Sequence, residues 1–477
     1  MDKSMDETRP DLCVIGAGSG GLSVAAGAAQ MGASVVLVEK HRMGGDCLNY
    51  GCVPSKSLIA AAHAAQVQRD AGGFGVQPVR PDIDFQAVHD HVHDVIAGIA
   101  PHDSVERFEG LGVTVIRAAG RFVAPDMLEA GGRRIRARRF VVATGSHPLV
   151  PPIPGLDGVD YLTNETVFAL TARPDHLIVV GGGPIGTELA QAHQRLGSRV
   201  TLIDGASLLG KDDPELVDVV RARLLTDGVD IMEGAKVTSA AKSDNGVRVT
   251  VEQDGVSRDV TGSHVLVAVG RAPNAEGLGL EAANVAFTRK GIEVDARLRT
   301  TNKKIYAVGD VAGALQFTHV ANYHAGIVIR NALFRLPAKA DHGAVPWVTY
   351  ADPELAHVGL NEVRAREAGM PHTVLRTPFA EIDRARAERA TDGLIKVIVG
   401  PRGRVLGASI VGTRAGELIL PWVLAVEGKL RIKDLASVVA PYPTLSEITK
   451  RVAGSHYTPG LFSEKTRRLV RFLARFG

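Results

Sequence analysis

The chain has 477 residues, 45% hydrophobic and 22% charged, with 55 basic against 52 acidic side chains. This composition excludes a largely disordered chain, and the formal charge of +3 with only 5% aromatics excludes a nucleic-acid binder built on a basic face or stacking platform. No run approaches the ~20 continuous apolar residues of a membrane span, and three cysteines are too few for a secreted disulfide framework. At about 150 residues per domain the length predicts roughly three domains. The charged start, Met1 to Asp11, shows no apolar stretch ahead of a cleavage site, so a cytoplasmic location is expected.

In chain order, DLCVIG (11–16) is a short apolar run ending in glycine, and Gly18, Gly20 and Gly21 follow. Small residues of helical composition continue to Ala29, and a second apolar run, SVVLV, ends in Glu39. That is strand, turn, helix, strand: a βαβ unit. The stretch 59–108 is rich in His and Ala and reads as helical, and VTVI and FVVA read as strands before the Ala-Thr-Gly turn at 143–145. Pro148, Pro151, Pro152 and Pro154 mark a junction.

The first pattern then recurs: LIVV, Gly181, Gly182, Gly183, Gly186, a helical ELAQAHQRLG, the run RVTLI and Asp204. Glu39 follows Gly16 by 23 residues, and Asp204 follows Gly181 by 23. VLVAVGRAP (265–273) likewise repeats FVVATGSHP (140–148), IYAVGD follows at 305–310, and after Pro346 strands and helices alternate to about residue 460. The expected class is α/β, with two Rossmann-like dinucleotide-binding units followed by an α+β domain.

Each glycine loop lies between a strand and a helix. Gly16 and Gly181 make the turn, Gly18 and Gly183 let a pyrophosphate approach the backbone, and Gly21 and Gly186 let helix and strand close up. Glu39 and Asp204 end their second strands, placed for a ribose hydroxyl. A carboxylate at 204, with no arginine in Gly205–Leu208, favours NADH over NADPH, although Lys211 lies near. Two dinucleotide sites in one chain point to electron exchange between a bound flavin and a diffusible nicotinamide.

Cys47 and Cys52 lie in GGDCLNYGCVPSKSL. Five residues of regular helix rise ~7.5 Å, beyond the ~4.4–6.8 Å Cα separation of a disulfide, so a bridge needs a break, which Gly51 permits. Pro54 suits the first turn of a following helix, which puts Cys52 at its positive end and Cys47 farther out, towards an incoming substrate. A zinc site lacks a second cysteine pair, an inert pair is uncommon in a reducing compartment, and a redox dithiol beside a flavin fits best. No resident metal is expected, and Cys13, inside an apolar strand, reads as core.

With GAGSGG and Glu39, GGDCLNYGCVPSK, ATG (143–145), GGGPIGTELA, VGRAPN (269–274), IYAVGD and PTLSE (443–447), the chain resembles the FAD-dependent pyridine nucleotide–disulfide oxidoreductases, which include dihydrolipoamide dehydrogenase, glutathione reductase and mercuric reductase. The resemblance implies a homodimer with an FAD domain (1–155), an NAD domain (156–280), a central domain completing the FAD site (281–345) and an interface domain (346–477). It implies that Thr144, Gly145, Gly309 and Asp310 hold FAD with the first loop, and that Gly270 and Arg271 join the NAD loop. It implies Lys56 beside the flavin, ion-paired to Glu188, with Cys52 as the thiolate facing the ring and Cys47 as the interchange thiol. The expected substrate is a small-molecule or protein disulfide, or another electron acceptor.

The match fails in one informative place. Disulfide reductases of this family carry a histidine base before the C-terminal Pro-Thr, donated across the dimer interface and oriented by a glutamate; here the pair is Tyr442 and Glu447. Tyrosine, with pKa ≈ 10, is a poor proton acceptor at neutral pH, so weak dithiol activity is expected unless His319, His324 or His456 substitutes. Mercuric reductase has tyrosine there too, but this chain has no cysteine after Cys52 to deliver a metal. A soft-metal reductase and a low-turnover redox sensor are the alternatives. In the tail, Leu469, Phe472, Leu473 and Phe476 share a helical face with Arg467, Arg468, Arg471 and Arg475 mostly opposite. A packed closing helix or solvated tail is the expectation there, and membrane-surface binding the rarer reading.

Overall fold

The computed structural model describes residues 6–244, 246–313 and 315–476. Both βαβ units form. In the first, Leu12–Ile15, Val35–Glu39 and Val113–Arg117 pair in parallel on one side, and Arg139–Val142 and Ile305–Ala307 extend the sheet on the other. Apart from the edge strand Val113–Arg117, these strands are covered on both faces, which is why they read as unbroken apolar runs rather than alternating ones. The second unit repeats the plan with Tyr161–Leu162, His264–Val267, His176–Val180, Arg199–Ile203 and Asp230–Met232, again all parallel.

The helix Ser19–Gln30 leaves the first loop and packs on Thr318–Ala332. Its small residues make the close approach possible: a Cβ on Gly20 would stand 3.2 Å from Val308 and one on Gly27 only 2.6 Å from Ile329. The strand Ile305–Ala307 and the helix after it therefore return to the first unit from far along the chain. The 59–108 stretch is helical as expected, in Cys52–Asp70, Phe85–Ile99 and Val105–Gly110.

From Trp347 a five-stranded sheet runs in the order Trp347–Thr349, Glu354–Gly359, Val405–Gly412, Leu394–Val399, Thr373–Pro378, wholly antiparallel. Its core is closed by Trp422, Ile432, Ile448 and Val452, all buried. Cys13 is a fully buried core thiol with its pKa pushed up by that burial. Among the described residues no helix is long and apolar enough to cross a membrane.

Candidate active site

Both glycine loops carry out the same local geometry. Gly16 and Gly181 have φ of 105° and 113°, and a Cβ on either would lie 2.4 or 2.5 Å from a carbonyl oxygen of the neighbouring strand end, Ala143 or Ala268. A Cβ on Gly21 or Gly186 would strike the first glycine's carbonyl oxygen at 1.8 Å. Only glycine fits at these four positions. The middle glycines differ: a Cβ on Gly18 would make only an ordinary contact, 3.9 Å from Gly45 Cα, and one on Gly183 would meet nothing within 4 Å. The amide of Ala17 donates to Glu39 Oε2 and that of His41 to Oε1, both at 2.6 Å. In the second unit Gly182 donates to Asp204 Oδ2 at 2.6 Å and Ala206 to Oδ1 at 2.7 Å. Each acid is thus oriented by two backbone donors at the rim of its loop.

One continuous cleft of about 3100 Å³ joins the two loops and the cysteines. Gly16, Gly18, Glu39, Thr144, Gly145, Gly309 and Asp310 line one arm; Gly181, Gly183 and Asp204 line the other. Gly21 and Gly186 lie behind the lining, as a packing role requires.

The cysteine segment breaks where glycine stands. A short helix, Gly45–Asn49, ends at Tyr50, Gly51 is non-helical, and a long helix, Cys52–Asp70, begins on the second cysteine. Cys47 and Cys52 are free thiols with a side-chain hydrogen bond between them. That bond, together with the Thr318 hydroxyl 3.5 Å away and the Lys56 charge, lowers Cys52 to about 6; the same bond and burial push Cys47 up. Cys52 is therefore the more acidic of the two thiols and Cys47 the less acidic.

Helix Cys52–Asp70 packs on helix Pro184–Arg195, which brings Lys56 to Glu188. Lys56 Nζ donates to Glu188 Oε2 at 2.8 Å, and the Tyr350 amide donates to Oε1 at 2.8 Å. Lys56 Nζ also stands 4.3 Å over the Tyr350 ring. The buried Glu188 is thus fully partnered, and the lysine is aimed into the cleft beside Cys52.

Arg271, expected with the nicotinamide loop, lines the same cleft, where its guanidinium donates to Ser146 Oγ at 2.8 Å and pairs with Asp46 at 2.9 Å. Strand Arg271–Pro273 pairs with Ser146–Pro148, so the backbone itself carries the cation to the acidic flavin side. There Ser146 Oγ donates to Asp310 Oδ2 at 2.5 Å, and burial holds the Asp310 pKa above its usual value. Thr144 and Asn274 exchange hydrogen bonds along the same seam. Gly270, beside Arg271, has φ 131° and lines the cleft where the arms meet.

Tyr442 and Glu447 line no part of the cleft. Tyr442 is 70% exposed on the interface domain and donates to Asp383 Oδ2 at 3.3 Å, while Glu447 faces the Thr444 amide. Within one chain they are not brought to the cysteines. Of the three substitute histidines, His319 lines the cleft next to Thr318 and can donate from Nε2 to the Pro346 carbonyl. His324 is buried against His342, and His456 packs on Tyr457 away from the cleft. Sequence reasoning missed Asp46, Ser146, Thr318 and Tyr350. Asp46 sat inside the cysteine motif; the others are brought in by tertiary structure alone.

Family models match at residues 10–325, pyridine nucleotide-disulphide oxidoreductase, and 345–453, the dimerisation domain of the same family. The chain is 35% identical over 440 residues to a mercuric reductase of Bacillus cereus, covering 92% of this chain and 70% of that one. It is 35% identical over 452 residues to a dihydrolipoyl dehydrogenase of Staphylococcus aureus, covering 93% and 96%. Among solved structures it is similar to the Cu(II) complex of the HOCl-induced flavoprotein disulfide reductase of Escherichia coli, with TM-score 0.84, 29% identity, and 94% and 99% of the two chains covered. The chain belongs to the pyridine nucleotide-disulphide oxidoreductase family. It is an FAD-dependent NAD(P)H oxidoreductase with a redox cysteine centre and a dimerisation domain.

FAD fits the first arm on the structure's own terms. Gly18 leaves room against the backbone for a pyrophosphate, the helix Ser19–Gln30 points its free amides there, and Glu39 and Asp310 flank the arm.

Proposed function

We propose that the protein works as a cytoplasmic homodimer that moves electrons from NADH, through the Cys47/Cys52 pair, to an external disulfide or other acceptor. The residue assignments belong to the same reading: Glu39, Thr144, Gly145, Gly309 and Asp310 hold FAD with the first loop, and Gly181, Gly183, Gly186, Asp204, Gly270 and Arg271 form the nicotinamide site. Segments 1–155, 156–280, 281–345 and 346–477 supply the FAD, NAD, central and interface parts. FAD, when bound, supplies a two-electron relay between the nicotinamide and the sulfur pair. The carrying observation is the hydrogen-bonded thiol pair beside Lys56–Glu188, in the one cleft that both glycine loops open into.

In this reading Lys56 balances negative charge that builds up facing Cys52, and Glu188 holds the lysine there. Cys47 attacks a substrate disulfide once its proton has left; a mixed disulfide forms, and Cys52 then displaces the substrate thiolate and restores the bridge. The substrate leaves as a dithiol carrying two electrons and two protons. The proton on Cys47 is the point of difficulty, because Tyr442 is a poor acceptor and its pKa is raised further by the charge of Asp383. An acceptor that takes electrons from thiolates with no proton to accept, such as a soft metal ion, avoids that step and is the second reading.

An acceptor screen with NADH (lipoamide, glutathione disulfide, Hg²⁺, quinone, O₂) separates these. Tyr442→His is expected to raise lipoamide turnover by about a hundredfold, the low end of general-base contributions, while leaving metal reduction unchanged. Lipoamide turnover already high in wild type and unmoved by the substitution would remove the missing-base argument.

Asp204→Ala is expected to weaken NADH by about tenfold and to improve NADPH, since both oxygens of Asp204 are fixed to present a negative rim that accepts a ribose hydroxyl and repels a 2′-phosphate. Initial rates with the two nucleotides measure the ratio. An unchanged ratio would place the ribose elsewhere.

A further inference from the structure

The final helix, Glu464–Leu473, has no counterpart in the chemistry above and begins beyond the matched dimerisation domain. Its start is set by Ser463, whose Oγ accepts from the Thr466 amide, with Glu464 in the first turn. None of its residues is buried. Leu469, Val470, Phe472 and Leu473, with Phe476 just after, are between 53% and 75% exposed. At 100° per residue these five occupy one continuous face, and Arg467, Arg468, Arg471 and Arg475 fall in a narrow arc opposite. Of the two expected forms, a closing helix packed on this chain is not seen, and the helix stands exposed to solvent.

We propose that this helix lies on an anionic phospholipid surface, with its apolar face among the acyl chains and its arginines at the headgroups. Charge decides between this and a second protein surface. Arg467, Arg471 and Arg475 repel one another at i, i+4 spacing, and among the described residues Glu464 is the only acid paired with them, meeting Arg467, Arg468 and Arg471. A protein partner covering the apolar face alone leaves that repulsion in place. Anionic headgroups satisfy both faces at once, since the arginine stems reach up past the apolar layer. The exposed Leu420, Leu424, Val439 and Tyr442 are different: they lie inside the dimerisation domain and have no such arginine stripe. The helix is too short to span, so it binds in the plane of the surface.

Co-sedimentation of the flavin-loaded full chain tests this with phosphatidylcholine vesicles, with and without phosphatidylglycerol. Each arginine near an anionic surface is worth about fivefold in partitioning, so the four together give more than about a hundredfold preference for anionic vesicles, lost at high salt. A chain ending at Phe462 is expected to stay in the supernatant with unchanged flavin content and elution volume. Arg467→Glu with Arg471→Glu, which disturbs no core, is expected to do the same. Equal sedimentation of full and shortened chains overturns the proposal, as does binding indifferent to vesicle charge. Loss of the dimer on shortening, with no lipid binding by the full chain, would instead assign the helix to a second copy.

Discussion

Replacing Cys52 with alanine is expected to lower acceptor turnover by about a thousandfold or more, the scale on which loss of a reacting nucleophile registers. The remaining Cys47 can neither close a bridge nor pass its proton along the S–H···S bond, and that bond is the main reason Cys52 ionises easily. The long-wavelength absorbance of a thiolate facing the bound flavin, expected on anaerobic addition of NADH to wild type, is expected to be absent. NADH leaving the wild-type visible spectrum unchanged would undo the whole scheme.

The same group predicts a pH dependence with a definite sign. In reduced wild type the Cys52 thiolate is present above about pH 6 and is lost as pH falls through that value. An unfolded thiol ionises near pH 8.5, so the folded pKa is the lower of the two. The contribution of Cys52 to the stability of the reduced protein is complete above the unfolded value and disappears as pH falls through 6. The rate of alkylation by iodoacetamide follows the thiolate independently of turnover. Thr318→Val is expected to move its midpoint upward, because the hydroxyl 3.5 Å from the sulfur supports the anion. A midpoint left at the ordinary thiol value in wild type would refute the proton-sharing arrangement.

Lys56→Met should have the second largest effect, an approximately hundredfold loss of turnover, comparable to removing one preorganised electrostatic group from an active site. It also removes a positive charge that favours the Cys52 thiolate, so the alkylation midpoint rises. Glu188 is left as a carboxylate 6% exposed with only the Tyr350 amide for a partner, at a cost of about 2 kcal/mol in stability. The double variant Lys56→Met, Glu188→Gln is expected to recover most of that stability and none of the rate. Full recovery of the rate would reduce the pair to a structural brace between the two helices.

Much of this was legible in the residues. The two βαβ units show because their strands, covered on both faces, read as plain apolar runs, and because a tight turn against a neighbouring strand end tolerates no Cβ at Gly16 or Gly181. The break at Gly51, the helix beginning on Cys52 and the acids closing each unit follow from local backbone chemistry over a few residues. The partners of Arg271 were not legible, because its motif sits in the second unit's sequence while a strand pairing sets it beside Ser146–Pro148.

Short-range physics, namely turn sterics, helix polarity and apolar periodicity, thus determined both nucleotide loops and the sulfur pair from sequence alone. Tertiary structure decided what those groups face. The packing of two helices joins Lys56 to Glu188, a strand arriving from residue 305 completes the first sheet, and Thr318 reaches Cys52 across 266 positions of chain. Such contacts leave no periodic trace, because a distant pair is selected by the shape of the assembled core and not by its neighbours in the chain. For the same reason the tail helix could be read as amphipathic, but only the folded chain shows its apolar face uncovered.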